Sequence, residues 1–154
     1  MAGPDTVKVL LAIDGSSAGA EALRIACELF SGKHVTINVL HVMRGSGAER
    51  RGVAARPRSV NYECERLAAN TLLDAAVRTL RQAGVGPCVL TQIDMGDPPS
   101  SVFAAVEASM PDVLVIGYQH VSRAPWLHVG SAWERLVSRA RCSVIVARAR
   151  ERAG

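Results

Sequence analysis

Aromatic side chains are scarce in this sequence, long apolar runs are absent, and each shortage excludes a class of protein. Phe, Trp and Tyr make up only 4% of the 154 residues, which argues against the aromatic stacking surfaces that bind single-stranded nucleic acid. No apolar run approaches the length of about 18 residues that a membrane-spanning helix needs, and no signal peptide is evident. We therefore expect a cytoplasmic protein with no membrane partner and no nucleic-acid partner.

The cysteines form no recognisable motif. They are Cys27, Cys64, Cys88 and Cys142. No C-x-x-C pair occurs, and no histidine stands at the spacing of a metal site. Because each cysteine lies in an apolar stretch, the sequence predicts buried free thiols in a reducing compartment.

Arginine supplies nearly all of the positive charge of this sequence. The formal net charge is +4, and only Lys8 and Lys33 among the 18 basic residues are lysines. Five arginines fall in a stretch without periodicity, at about residues 44–59: Arg44, Arg50, Arg51, Arg56 and Arg58. We predict a flexible loop there, which is usually solvated but could fold over a polyanion.

Short apolar segments alternate with segments of helical period along the chain. Such apolar runs are typical of strands buried on both faces of a parallel sheet. Five are predicted, at residues 7–13, 34–42, 88–95, 112–117 and 142–147. Four helices are predicted between them. The alternation predicts an α/β fold in a single domain over residues 1–154, with a core at about 7–148 and helices on both faces.

Capping residues mark where the helices begin. Ser16 or Ser17 is predicted to cap the first helix, and Asp97 the third, with Pro98 in its first turn. The second helix is predicted over residues 60–83, and the third is predicted to run to about Met110. The stripe predicted to be buried on the first helix consists of Ala20, Leu23, Cys27 and Phe30.

A serine hydrolase motif occurs near the N-terminus. Residues 15–19, Gly-Ser-Ser-Ala-Gly, match the G-x-S-x-G pattern of a nucleophile elbow, with Ser17 as the nucleophile. The acids and bases that would complete a triad are Asp94, Asp97 or Asp112 and His120 or His128. Because the match follows the first strand, no earlier strand–helix loop supplies a second oxyanion donor. A helix start with a capping serine is the competing interpretation.

The end of the fourth predicted strand carries features of a phosphate site. The strand ends at Gly117, and Gly130-Ser131 opens the last helix. A glycine at a strand end lets a ligand approach the backbone closely. A Gly-Ser helix start offers free N–H groups, a hydroxyl and the positive end of the helix dipole. The alternative is an ordinary loop with Ser131 as an N-cap.

Four stretches resemble the universal stress protein family. They are the opening Val-Leu-Leu-Ala-Ile-Asp-Gly-Ser, the segment Gly96-Asp97-Pro98, the strand Asp-Val-Leu-Val-Ile-Gly and the closing Cys-Ser-Val-Ile-Val-Ala. The similarity extends from Val7 to Arg148. Nucleotide-binding members carry G-x2-G-x9-G-(S/T) after the fourth strand. This sequence has Gly117, His120, Gly130 and Ser131 at those positions.

The resemblance implies a doubly wound, Rossmann-like sheet of five parallel strands in the order 3-2-1-4-5. It implies a homodimer through the last strand, residues 142–147, and a role in stress adaptation with at most slow hydrolysis. The implied ligand is ATP or another adenine nucleotide, with or without Mg²⁺. The implied nucleotide-binding residues are Ala12, Asp14, Val42, Gly117, His120, Gly130, Ser131 and Ala132. By this likeness Asp14 meets the adenine or ribose, the backbone near Val42 flanks the base, and Gly117, Gly130 and Ser131 hold ribose and phosphates.

Two of these residues have a second interpretation. His120 stands where the family pattern has glycine and is less suited to a positive φ, although its ring could donate a hydrogen bond to a phosphate. An acid just after a strand, such as Asp14, often caps the next helix. The alternative function is therefore a stress-protein dimer that binds no nucleotide and acts through protein partners.

Overall fold

The computed structural model describes residues 6–44, 60–118 and 132–149. The strands are β1 (Val7–Ala12), β2 (Val35–Met43), β3 (Cys88–Met95), β4 (Val113–Tyr118) and β5 (Ser143–Arg148). The helices are α1 (Ser17–Phe30), α2 (Val60–Gln82), α3 (Pro98–Ser109) and α4 (Ala132–Arg139). All nine predicted elements are confirmed, and every strand begins and ends within one residue of its predicted position. The loop predicted at 44–59 lies outside the described residues, except for Arg44.

The five strands form one parallel sheet in the order β3-β2-β1-β4-β5, as the resemblance implied. Ala12, the last residue of β1, is paired with Leu40 of β2 on one side and Ile116 of β4 on the other. The chain builds outward from β1 to β3 and then crosses to β4 and β5. The winding therefore reverses between β1 and β4, and in folds of this kind ligands bind beyond the carboxyl ends of the strands at that point.

Two apolar cores cover the opposite faces of the sheet. Val9 and Leu11 belong to the core beneath α1 and α2, whereas Leu10 belongs to the core beneath α3 and α4. Successive side chains of a strand point to opposite faces, so β1 contributes to both cores. This explains why the apolar runs are continuous and confirms that the central strand is buried on both faces.

Helix α1 begins where predicted, and Phe30 is buried as predicted, but the rest of its buried stripe differs from the prediction. Ser16 is the N-cap, and its Oγ accepts a hydrogen bond from Gly19 N–H at 3.1 Å. The buried residues are Ala18, Gly19, Ala22, Ala26 and Phe30. Ala20 is exposed, and Leu23 and Cys27 are only partly buried. The residues that replace the predicted ones are small and let the helix backbone lie close to the sheet, which the three- and four-residue spacing used for the prediction did not indicate.

Helix α3 and the cysteines test two further predictions. Asp97 caps α3 by accepting a hydrogen bond from Ser100 N–H at 3.2 Å, and the helix ends at Met110. All four cysteines are free thiols, but Cys64 on α2 is exposed and the other three are only partly buried, so the prediction of burial is wrong for Cys64 and holds only in part for the rest. Within the described ranges no helix is long and apolar enough to cross a membrane.

Candidate functional site

A cavity of about 520 Å³ opens at the carboxyl end of the sheet, where β1, β2 and β4 end and α1 and α3 begin. Four of the residues implied by the resemblance line it: Ala12, Asp14, Val42 and Gly117. Ala132 does not; it lines a smaller groove between α3 and α4. His120, Gly130 and Ser131 lie outside the described residues. The structure thus gathers one half of the predicted site around a single cavity.

The turn from β1 into α1 forms one wall of the cavity. Asp14 Oδ1 accepts hydrogen bonds from Ser16 N–H at 3.0 Å and from Ser16 Oγ at 2.5 Å. Gly15 adopts a φ of 81°, in the left-handed region that glycine enters without steric cost. Asp14 therefore supports the start of α1, which is its second predicted interpretation. Its Oδ2 receives no hydrogen bond from the residues that the structure describes.

Gly117 at the end of β4 is required by the packing of α1. A Cβ at this position would overlap the carbonyl group of Ala18 and lie 2.7 Å from Gly19 N. A Cβ on Gly19 would in turn lie 2.7 Å from Asp14 Oδ1. The first turn of α1, the end of β4 and the Asp14 carboxylate are therefore packed in direct contact. Gly117 was expected to leave space for a ligand, and in the structure it leaves space for the first turn of α1. Its contact with a ligand remains a prediction.

The end of β2 forms the opposite wall. Ile13 N–H donates to Leu40 O at 2.9 Å, which continues the β1–β2 ladder one residue beyond β1. The partly buried His41 places its ring Nδ1 2.9 Å from Ile13 O. Because a carbonyl oxygen only accepts, Nδ1 is the nitrogen that carries the proton.

Sequence analysis missed several residues that line the cavity. His41 was assigned only to a strand, and Tyr118 and Trp133 to no role, yet all three line it. Arg44, assigned to the loop, lines it too. Among the described lining residues Arg44 is the one arginine or lysine and Asp14 the one carboxylate. The signal that could have found them is position, because each stands at or near a strand's carboxyl end or a helix start.

The serine hydrolase hypothesis gains no support from this geometry. Ser17 lies in the first turn of α1, and Met110 is the one described non-glycine residue with positive φ. Ser17 thus lacks the strained turn of a nucleophile elbow. Asp97 is used as a helix cap, and Asp112 accepts a hydrogen bond from Lys8 N–H at the opposite end of the sheet. His120 and His128 lie outside the described residues.

Metal binding by the protein alone has no visible site in the described part of the chain. No group of three or more His, Cys, Asp or Glu side chains is placed there to hold an ion.

The sequence matches the Universal stress protein family over residues 6–148. The chain belongs to the universal stress protein family. This membership confirms the resemblance drawn from the four sequence stretches. We find no match among curated protein sequences.

Solved structures of other universal stress proteins share this fold. UspA from Lactobacillus plantarum is 20% identical, with a TM-score of 0.71 over 95% of this chain and 100% of that chain. A family member from Arabidopsis thaliana with AMP bound is 21% identical, with a TM-score of 0.66 over 94% and 92%. The universal stress protein from Archaeoglobus fulgidus in complex with dAMP is 20% identical, with a TM-score of 0.62 over 96% and 99%. At such identities the likeness shows the fold.

Proposed function

We propose that this universal stress protein binds an adenine nucleotide in the cavity beyond β1 and β4 and acts as a stress-adaptation module. The observation that carries the proposal is the meeting of Ala12, Asp14, Val42 and Gly117 around one cavity at the point where the winding reverses. The complexes of similar proteins with AMP and dAMP support an adenine ligand. The volume of about 520 Å³ lies within the range of small-molecule sites.

The walls of the cavity suit the two chemically different parts of a nucleoside. Leu40, Val102 and Ile116 supply apolar surface for a base, since ligand sites are lined mostly by apolar groups with few polar ones. Asp14 Oδ2 is the acceptor that we assign to ribose hydroxyls. The phosphates would then reach His120, Gly130 and Ser131, which remain predicted ligands.

The phosphate number and the role of Mg²⁺ belong to the same proposal. ATP, AMP and cyclic nucleotides all contain the adenosine that the described walls would hold. If ATP is bound, we expect at most slow hydrolysis, because phosphoryl transfer depends on positioned cations and a group that orients the nucleophile. Mg²⁺ would enter with the phosphates, as such ions usually do.

Dimerisation and cytoplasmic location complete the proposal. Strand β5 is at one edge of the sheet, and its Val146 side chain is 40% exposed. An uncovered edge strand tends to pair with another chain, which supports the homodimer that the family resemblance implies. A reducing cytoplasm is consistent with four free thiols.

A nucleotide-free dimer that acts through protein partners is the second candidate. The observation that favours it is that Asp14 and Gly117 both have a purely structural use in packing α1. Their presence would then reflect the fold, and no nucleotide would be needed to explain them.

Nucleotide binding decides between the two candidates. We would denature the purified protein, chromatograph the supernatant for retained nucleotide, and titrate the nucleotide-free protein with AMP, dAMP, cyclic AMP and ATP with Mg²⁺ by calorimetry. The proposal expects binding by at least one of them. Absence of retained nucleotide together with absence of binding would leave the nucleotide-free dimer as the function.

Two aspartate variants, one at each end of the sheet, test where the nucleotide binds. Asp14→Asn keeps the Oδ1 acceptor for Ser16 and removes the charge, so we expect AMP affinity to fall about tenfold, the loss of one charged hydrogen bond. Asp112→Asn is the matched control, because Asp112 also accepts from a backbone N–H but lies at the far end of the sheet. Equal effects of both changes would place the site elsewhere.

A further inference from the structure

The hydrogen-bond ladder between β1 and β2 stops one bond before Val42. Leu40 accepts from Ile13 N–H at 2.9 Å, so the backbone groups of Leu40 face β1. In a parallel pair the groups of every second residue face the same neighbour, and those of Val42 therefore face β1 as well. The next bond of the ladder would join Val42 N–H to Ile13 O. The backbone bonds of the described residues do not include it.

The ring of His41 occupies the acceptor that this bond would use. Its Nδ1–H donates to Ile13 O at 2.9 Å. Beyond Ile13 the chain leaves the sheet through Asp14 and Gly15, whose φ of 81° starts the turn into α1. The Ile13 carbonyl is thus directed to a side chain of β2. Val42 lines the cavity, and its N–H and C=O have no hydrogen-bond partner among the described residues.

The geometry points to His41 as a positioning residue that keeps the Val42 backbone open to the base of the nucleotide. A neighbouring N–H and C=O match the edge of a 6-aminopurine, which presents a ring nitrogen acceptor beside an amino donor. If the His41 ring did not bind Ile13 O, this oxygen could accept a hydrogen bond from Val42 N–H. The Val42 N–H would then no longer be available to the base. The inference rests on the proposed function and adds a residue that does not itself touch the ligand.

The alternative is that the His41 bond matters only for the stability of the β1–β2 pair. The two roles differ in what they do to base discrimination. A purely structural bond affects the fraction of folded protein but leaves the relative affinity for two bases unchanged. A positioning bond sets which base edge is accepted. Inosine monophosphate is the suitable second probe, because its 6-oxo group and protonated ring nitrogen reverse the donor and acceptor of AMP.

Three variants separate these roles. His41→Asn places an amide nitrogen close to the position of Nδ1 and retains a donor for Ile13 O, whereas His41→Leu fills a similar volume without a donor. Asn38→Leu is the control on the same strand, because it removes a side-chain hydrogen bond to Gln92 of 2.9 Å away from the cavity. Affinities for AMP and inosine monophosphate are measured by calorimetry, and unfolding by thermal melting.

We expect the wild-type protein to bind AMP more tightly than inosine monophosphate. His41→Leu should lower AMP affinity about tenfold, the loss expected when one base hydrogen bond fails to form, and should reduce the preference for AMP. His41→Asn should restore most of both. Asn38→Leu should leave both affinities as they are, whatever its effect on melting.

Other results overturn the inference. Unchanged AMP affinity in His41→Leu, or an equal loss in the Leu and Asn variants with the base preference intact, would show a structural bond only. If His41→Leu does not fold, His41→Gln replaces it, since its longer side chain moves the amide nitrogen toward the Nε2 position and should behave like a loss of the bond. Failure of the wild-type protein to bind any adenine nucleotide would instead refute the proposed function.

Discussion

Each end of the central sheet has an aspartate bound to a backbone N–H group, but one end is closed and the other is open. At the amino end, Lys8 N–H donates to Asp112 Oδ2 and Asp112 N–H donates to Lys8 O, both at 2.8 Å. Ser143 N–H donates to Asp112 O at 3.1 Å, so β1, β4 and β5 are joined there. At the carboxyl end, the hydrogen bonds that Asp14 accepts from described residues come from the turn that follows it, beside a cavity of about 520 Å³.

The difference follows from the topology of the sheet. All five strands run in the same direction, and the helices after β1 and β3 leave the carboxyl end toward opposite faces. A crevice therefore remains between β1 and β4 at that end alone. The same residue type joins the strands at one end of the sheet and borders a cavity at the other. Substitutions at the amino end should thus change stability only, whereas substitutions at the carboxyl end should change stability and binding together.

The largest effect is expected for Gly117→Ala at the carboxyl end. The added Cβ overlaps the Ala18 carbonyl, so α1 must shift, and we expect the free energy of unfolding to fall by about 3 kcal/mol. AMP affinity should fall as well, because the displaced turn contains Asp14. Unfolding in urea measures the first effect and calorimetry the second.

Gly32→Ala is the control for that change at the amino end. A Cβ there meets no atom within 4 Å, although φ is 69°. The cost should therefore be only the strain of a left-handed alanine, about 1 kcal/mol, with AMP affinity unchanged. Equal losses of stability in the two variants would mean that α1 moves away from Gly117 at little cost.

A pair of left-handed residues gives a smaller contrast between the two ends. Gly15 has a φ of 81° at the carboxyl end, and Met110, which ends α3 at the amino end, has a φ of 44°. Gly15→Ala should destabilise the fold by about 1 kcal/mol, and Met110→Gly should stabilise it by up to about 1 kcal/mol. Only Gly15→Ala should weaken AMP binding. Urea unfolding and calorimetry test this pair, and a Met110→Gly variant that is less stable than wild type would contradict it.

Much of this architecture could be predicted because its determinants are local. Asp97 and Pro98 mark the start of α3 within a few residues, and apolar runs mark the strands. The buried stripe of α1 could not be predicted, because it depends on how closely Ala18 approaches Gly117, a residue far along the chain. The role of His41 could not be predicted either, since the bond to Ile13 O exists only in the register that pairs β1 with β2.

The smallest expected difference between the two ends of the sheet is in the rates at which their cysteine thiols react. Cys27, Cys88 and Cys142 lie toward the amino end and are partly buried, whereas Cys64 is exposed on the part of α2 nearest the carboxyl end. Burial raises the pKa of the Cys27 and Cys142 thiols, so less of each is present as the reactive thiolate at neutral pH.

Alkylation with iodoacetamide, followed by mass spectrometry, should therefore label Cys64 first. The rates at Cys27 and Cys142 should rise as the solution is made alkaline, because more of each thiol is then ionised, and in urea all four rates should converge. If Cys27 were labelled as fast as Cys64 in the folded protein, the C-terminal half of α1, which lies toward the amino end of the sheet, would have to open. The contrast between the two ends of the sheet would then not extend to the helices that cover it.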